Sequence, residues 1–471
     1  MNKKYDILVI GAGPGGYPCA IRAGQLGKKV LVVDKGFLGG ECLNWGCIPS
    51  KALISAANFY KELSHAETMG IKVEKAQIDV QKLQSWKKSV SERLIGGIAQ
   101  LLKANKAEYL EGTCSFVNDH TVEVIRKDNG EKELIEADNI VIAIGTEFIS
   151  LPGFQIDEKN IVSAKGALSL SKIPEHFLII GGGIIGMELG MVYAKLGSKL
   201  TVVELMPEIL PGIDPTLVRL LHTNLRKLGV TVHRDSRATS IHYNSNGTMD
   251  VEIQTKTEKL IITVDKILLS VGKRANVSSL KIENSNVKTD QRGFILIDKQ
   301  CRTNVSHIFA VGDCTGMPFL AHRATKHGII AAEVIAGHEA SEIDFVSIPG
   351  AIFTDPEIAF AGLSEQQAKE EGYEVITGRA SFGASGRAIT HLKELGYIKV
   401  IADAHTNVLL GVEIVGINAS DLISEAALAL EMGATLEDVA HTIHPHPTLP
   451  EMLMEACEQA LGKAIHVMNP K

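Results

Sequence analysis

"YDILVIGAGPGGYPCAIRAGQLGKKVLVVDKG", residues 5–36, decides how this chain begins to fold. An apolar strand, Ile7 to Ile10, meets Gly11-x-Gly13-x-x-Gly16. A helical stretch follows, then a second strand, Val30 to Val33, ending at Asp34. The glycines permit a tight turn and let backbone N–H groups approach a pyrophosphate at a helix N-terminus, and an acid about 20 residues further on accepts from a ribose hydroxyl. Turn glycines alone would explain the spacing. The strand before, the helix after and the acid in place turn it into a dinucleotide site.

The same unit recurs. "HFLIIGGGIIGMELGMVYAKLGSKLTVVELMP", residues 176–207, repeats strand, Gly181-x-Gly183-x-x-Gly186, helix, strand and a terminal acid, Glu204. Two intact fingerprints predict two dinucleotide sites in one chain rather than a degenerate repeat. Glu204 suits the free 2′-hydroxyl of NAD, and no arginine follows it to receive the extra phosphate of NADP. The second site is therefore expected to take NAD, and the first, by elimination, another dinucleotide such as FAD.

At 471 residues the chain has room for about three domains. It is 45% hydrophobic and 22% charged, enough to bury large cores. A net charge of −7 without a basic block argues against a nucleic-acid partner. The most apolar stretch, Phe177 to Ala194, is broken by Glu188 and five glycines, so no membrane span is expected. Strand-like sequence from Tyr5 is expected to leave no room for a targeting peptide, unless one has been removed. Seven cysteines in so long a chain do not form a disulfide scaffold, which points to the reducing cytoplasm. Two further strand-and-turn stretches, Asn139 to Phe148 and His307 to Gly316, close the first domain around an inserted second one, and Asp313 falls at a strand's carboxyl end, where α/β proteins place ligands. A turn-capping aspartate is the plainer reading of that residue. The expected fold is α/β: two Rossmann-like dinucleotide-binding domains, one at 1–147 with 275–346 and one at 148–274, followed by an α+β domain at 347–471.

"GGECLNWGCIPSKAL", residues 39–53, holds Cys42 and Cys47 four residues apart. On a regular helix such residues lie roughly 8–9 Å apart between Cα atoms, beyond the ~7 Å reach of a disulfide. A bridge needs an irregular turn, for which Gly46 gives slack, with Pro49 in the first turn of the helix beyond. A bridge of that kind is easily reduced. Zinc would need a second ligand pair, and none lies nearby. A redox bridge is the expected reading; two unpaired buried thiols is the alternative. Near the C-terminus, "HTIHPHPTLPEML" packs His444, His446 and Glu451 among three prolines. Alone this reads as a surface histidine cluster. Beside a redox disulfide, a His with a carboxylate to orient it reads as an acid–base group.

These residues resemble the pyridine nucleotide–disulfide oxidoreductases, and most closely the branch that oxidises dihydrolipoamide with NAD⁺. The resemblance spans the chain, through "GAGPGGY", "GGxCLNxGCIPSKAL", "GGGIIGMELG", "AVGDCTG" followed by "LAHRA", "FTDPEIAFAGLSEQQAK" and "HPHPTLPE". It implies FAD at the first site, NAD at the second and a homodimer through the C-terminal domain. Cys42 would be the interchange thiol and Cys47 the thiolate against the flavin. Lys51 and Glu188 match the pair near the flavin's reactive edge, Asp313 would bind the ribityl or phosphate portion, and Asp34 the adenosine ribose. Gly145 in "AIGTE", Ala321 in "LAHRA" and Gly272 in "GKRAN" fall in cofactor-facing motifs of the family. His446 matches the base, oriented by Glu451, both reaching the disulfide of the other subunit. The substrate would be a lipoyl-bearing subunit of a 2-oxo acid dehydrogenase complex or of the glycine cleavage system.

Some positions depart from the family pattern, among them Glu41, Trp45, the Lys273 of "GKRAN" and Pro450. None removes a catalytic group, but Glu41 sets a negative charge beside Cys42 that is expected to raise the thiol pKa or alter the disulfide's potential. Glutathione reductase shares the cysteine spacing but uses NADPH, which Glu204 disfavours. Mercuric reductase adds a C-terminal cysteine pair, whereas the last cysteine here, Cys457, is single. Intact Cys42, Cys47 and His446 argue against a docking component that has lost catalysis, though not against docking itself.

Overall fold

The computed structural model describes residues 3–338 and 341–470. The apolar runs of the first fingerprint become strands whose side chains are covered on both faces. In β1 (Lys3–Ile10) and β2 (Val30–Asp34), Ile7, Leu8, Val9, Val30 and Val32 expose nothing, as expected of parallel strands inside an α/β layer. Helix α1 (Gly16–Gln25) connects them, and they pair in parallel, Ile7 opposite Val30. β3 (Glu108–Phe116) continues in parallel beside β2, then pairs antiparallel with β4 (Thr121–Arg126), which leads into β5 (Lys132–Ile142). β5 returns to lie parallel to β1 on its other side, and the strand Ile308–Ala310 adds parallel to β5. This six-stranded sheet belongs to a compact unit made of Met1–Ile173 and Leu269–Asp344. Two stretches far apart in sequence thus share one core, with Leu8, Leu31, Ile140 and Ile308 in a single apolar cluster. After β2 the chain forms two short-spaced helices, α2 (Gly40–Trp45) and α3 (Cys47–Glu62).

A second compact unit comprises Pro174–Leu268 and Phe345–Lys471. Its first stretch repeats the opening motif: β6 (His176–Ile180), α4 (Ile184–Lys195) and β7 (Lys199–Val203), with β6 and β7 parallel and Thr231–His233 adding beside β7. A three-stranded antiparallel sheet, Arg237–Tyr243, Met249–Gln254 and Lys259–Val264, follows. The C-terminal stretch is a five-stranded antiparallel sheet, in the order Gly350–Ile352, Glu357–Gly362, Leu409–Gly416, Tyr397–Asp403, Val375–Ser381. Helices Ala419–Glu431 and Glu451–Ala460 share a core with it, Ile423, Ala426, Leu453 and Ala456 packing with Ile398, Val400 and Ile414. The architecture is α/β with two strand–glycine turn–helix–strand units and a C-terminal α+β portion. Among the described residues no helix is long and apolar enough to cross a membrane.

Candidate active site

The two glycine turns are built alike. Gly11 and Gly181 leave β1 and β6 with φ of +104° and +101°, a left-handed conformation that favours glycine. Their amides donate to Val33 and Val203 at the end of the neighbouring strand, at 2.8 and 2.9 Å. A Cβ on Gly16 would stand 1.9 Å from the Gly11 carbonyl oxygen, so this glycine lets the helix pack on the turn. The middle glycines have no such reason. A Cβ on Gly183 would meet nothing within 4 Å, and one on Gly13 only the Gly40 Cα at 3.7 Å. Neither α1 nor α4 has a capping side chain at its N-terminus. Open space beside uncapped helix amides fits the phosphates of a dinucleotide at each site.

The acid at the end of each second strand is engaged by the glycine turn. Asp34 accepts from the Ala12 amide at 2.9 Å and from the amides of Gly36 and Phe37 at 3.0 and 2.7 Å. Glu204, 6% exposed, accepts from the Gly182 amide at 2.6 Å and the Met206 amide at 2.7 Å. Both carboxylates hold the amide of the residue after the first glycine, and so fix the turn.

The dithiol lies in the first unit, where α2 ends and α3 begins. Gly46 separates the helices, and a Cβ there would come 2.9 Å from the Glu41 carbonyl oxygen and 3.1 Å from the Cys42 Cα. The break folds the chain back so that Cys47, the first residue of α3, meets Cys42, and Pro49 sits in the first turn as expected. The structure holds both as thiols. The Cys42 thiol donates to the Cys47 sulfur. That bond, followed by burial, pushes Cys42 up. The same bond is the largest influence on Cys47 and holds it below the usual thiol range against the effect of burial; Lys51, one turn along α3, adds to the lowering, and Glu41 opposes it. Tyr17 of α1 faces the pair, its phenol raised by burial and by Cys42.

Gly312 (φ +75°) opens a one-turn helix, Gly312–Thr315, after the strand Ile308–Ala310, and carries Asp313. Burial pushes the Asp313 carboxyl up to about 6, with Lys273 and Arg323 pulling the other way and Glu41 adding to the rise. Helix Ala321–Ile335 begins just beyond, with Arg323 donating to the Gly316 carbonyl at 2.8 Å. Gly145 and Gly272 lie in turns, at φ of +64° and +123°, flanking the paired strands Thr146–Phe148 and Lys273–Ala275.

In the second unit, His446 Nδ1 lies 2.8 Å from Glu451 Oε1, and Glu451 Oε2 accepts from the Thr448 amide at 2.6 Å. Burial alone would raise the Glu451 carboxyl; the Thr448 amide and His446 together hold it below the usual carboxylate range. The His446 ring is 81% exposed. His444 is different: Nδ1 bonds the Thr442 carbonyl and Nε2 bonds Glu425, each at 2.8 Å, which leaves no ring nitrogen for a metal. Glu188 is 5% exposed and accepts from the Phe353 amide at 2.9 Å.

The sequence profile of the pyridine nucleotide-disulphide oxidoreductases matches residues 5–328, and that of their dimerisation domain matches 348–457. The chain belongs to this family. Dihydrolipoyl dehydrogenases are similar to it over nearly their full length: 46% identical in Geobacillus stearothermophilus, covering 98% of each chain, and 45% in Thermus scotoductus, covering 99% of this chain and all of the relative. Among solved structures, LpdA from Mycobacterium tuberculosis superposes with a TM-score of 0.90 at 25% identity, covering 97% of this chain and 99% of the other. The C-terminal sheet falls within the stretch matched by the family's dimerisation domain.

Two features escaped the sequence reading. Glu41 does not stand as an unbalanced charge beside Cys42: its carboxylate is ion-paired with Lys273, 232 residues away, on the strand Lys273–Ala275. Glu425, the partner of His444, comes from the helix Ala419–Glu431. Long-range ion pairs leave no spacing to read.

Proposed function

We infer that the chain oxidises protein-bound dihydrolipoamide to lipoamide and reduces NAD⁺ to NADH. The observation that carries this reading is the Cys42–Cys47 dithiol, with one thiol raised and the other lowered, in a chain with two dinucleotide cradles. When bound, FAD in the first cradle and NAD in the second supply the electron and hydride chemistry. Gly11, Gly13, Gly16 and Asp34 would hold the first, with Lys51, Gly145, Gly272, Asp313 and Ala321 around it; Gly181, Gly183, Gly186 and Glu204 would hold the second. The domains would run at 1–147 with 275–346, at 148–274 and at 347–471.

The protein's own residues handle thiols and protons. His446, oriented through Nδ1 by Glu451, takes a proton at Nε2 from the substrate dithiol. The substrate thiolate attacks Cys42 Sγ in the Cys42–Cys47 disulfide, the S–S bond breaks, and Cys47 leaves as a thiolate. The second substrate thiol then attacks the substrate sulfur of the mixed disulfide; the bond to Cys42 breaks, the second thiol's proton passes to Cys42, and cyclic lipoamide leaves. The pair ends as the Cys42 thiol and Cys47 thiolate, in keeping with the raised Cys42 and lowered Cys47. Lys51 stabilises that thiolate.

The chain acts as a cytoplasmic homodimer, each site taking His446 and Glu451 from the other subunit, and serves the lipoyl-bearing subunits of a 2-oxo acid dehydrogenase complex or of the glycine cleavage system. Leu428, Met432 and Ile443, 64%, 75% and 94% exposed in the C-terminal portion, support a covered interface there. The test is turnover by the flavin-loaded protein. Dihydrolipoamide with NAD⁺ should give NADH; glutathione disulfide with NADPH should not be reduced. The opposite pattern would overturn the reading.

A further inference from the structure

We propose that Lys273 is a positioning residue for the redox step: by neutralising Glu41 it keeps the thiolate of Cys47 stable in the reduced enzyme. This rests on the reading of Cys47 as the thiolate held against the flavin. Glu41 adjoins Cys42 on α2 and disfavours the Cys47 thiolate. Lys273 answers it from a strand fixed elsewhere, antiparallel to Thr146–Phe148, with Lys273 opposite Phe148. The lysine is well placed to stay put. Its side chain is 11% exposed, against 28% for Glu41, and its ammonium lies 5.1 Å from the centre of the Phe148 ring. The neighbouring Arg274 is engaged apart, with Glu147 at 2.7 Å.

The charges around the dithiol form a set. Lys51 favours the thiolate from α3, Glu41 opposes it, and Tyr17 faces it from α1. Asp313 is influenced by the same Glu41 and Lys273, with Arg323 beyond. Because Lys273 and Glu41 have opposite sign and are paired, the lysine offsets part of the carboxylate's field at the sulfur. Removing either partner exposes the other in a half-buried setting, where screening is weak. An unpaired Glu41 disfavours the anionic reduced pair, whereas an unpaired Lys273 favours it.

The prediction is a pattern of signs. The holoenzyme is reduced with dihydrolipoamide, and the long-wavelength band of the thiolate beside flavin is followed against pH. In Lys273→Met the midpoint of the band should rise by about one pH unit, the size of a single charge at roughly 10 Å with an effective dielectric near 20. In Glu41→Gln it should fall. The double variant should return toward the wild-type midpoint, and Lys273→Arg should stay near it. A purely structural salt bridge predicts loss of flavin or of stability in all the variants, without opposite midpoint shifts. Flavin content, measured in each, separates misfolding from retuning. If the wild type shows no band, the reading of Cys47 fails. If it shows the band but the two single variants leave the midpoint unmoved, or move it the same way, the role of Lys273 is refuted.

Discussion

Replacing Glu451 with glutamine keeps the shape of the carboxylate and removes its charge. In the native structure that carboxylate is held from both ends: Oε1 lies 2.8 Å from His446 Nδ1, and Oε2 takes the Thr448 amide at 2.6 Å. Glu451 is also the first residue of the helix Glu451–Ala460, where the helix dipole favours a negative charge. The orientation of His446 therefore rests on one charge-assisted hydrogen bond. Such bonds contribute roughly 1.5–3 kcal/mol, and about 1.4 kcal/mol is tenfold in rate. If the charged bond acts in the transition state, Glu451→Gln should lower kcat for dihydrolipoamide oxidation by roughly 10- to 150-fold. His446→Ala should lose more, by roughly 10²–10⁴. The assay is steady-state NADH production, run beside NADH-dependent reduction of ferricyanide, which bypasses the thiols and should stay unchanged. In the His446→Ala background the Glu451 change should cost nothing further, because the carboxylate acts through the imidazole. An undiminished kcat in Glu451→Gln, or a full additive loss in the double variant, would refute the dyad.

Glu204→Gln should narrow the preference for NAD⁺ over NADP⁺ and also raise KM for NAD⁺, because Glu204 anchors the Gly182 and Met206 amides as well as repelling a 2′-phosphate; comparable kcat/KM for both nucleotides in the wild type would sink the assignment. Gly13→Ala should fold yet bind FAD weakly, since its Cβ meets only Gly40, whereas Gly16→Ala should destabilise the protein itself, its Cβ falling 1.9 Å from the Gly11 oxygen; thermal unfolding and flavin retention distinguish the two. Mixed dimers of inactive His446→Ala and Cys42→Ser chains should regain activity, because one of their two interfaces keeps all the groups together; activity no higher than that of the parents would place the base in its own chain.

What the sequence made legible was local. Gly11, Gly13 and Gly16 announce their turn because strand, turn, helix and acid are consecutive, and the same holds around Gly181. The meeting of Cys42 and Cys47 could be anticipated once Gly46 was recognised as a break between helices. The discontinuous first unit was readable because Ile308–Ala310 repeats the buried-strand pattern of β5. The charge state around Cys42 was not, because Lys273 arrives by tertiary folding from a distant strand. Nor was the hold of Asp34 and Glu204 on the turn amides of Ala12 and Gly182, since it depends on a bend that spacing does not describe. The structure also places the cysteines as thiols, and oxidation state is a property of conditions rather than of sequence.

The most direct test of the dithiol–flavin pathway is an anaerobic absorption titration of the flavin-loaded protein with dihydrolipoamide. One equivalent should bleach part of the flavin absorbance and raise a long-wavelength band. Cys47→Ser should bind flavin but never show that band, while Cys42→Ser should show it without any reductant. A wild type that shows no band, or the reverse assignment in the two variants, would contradict the account.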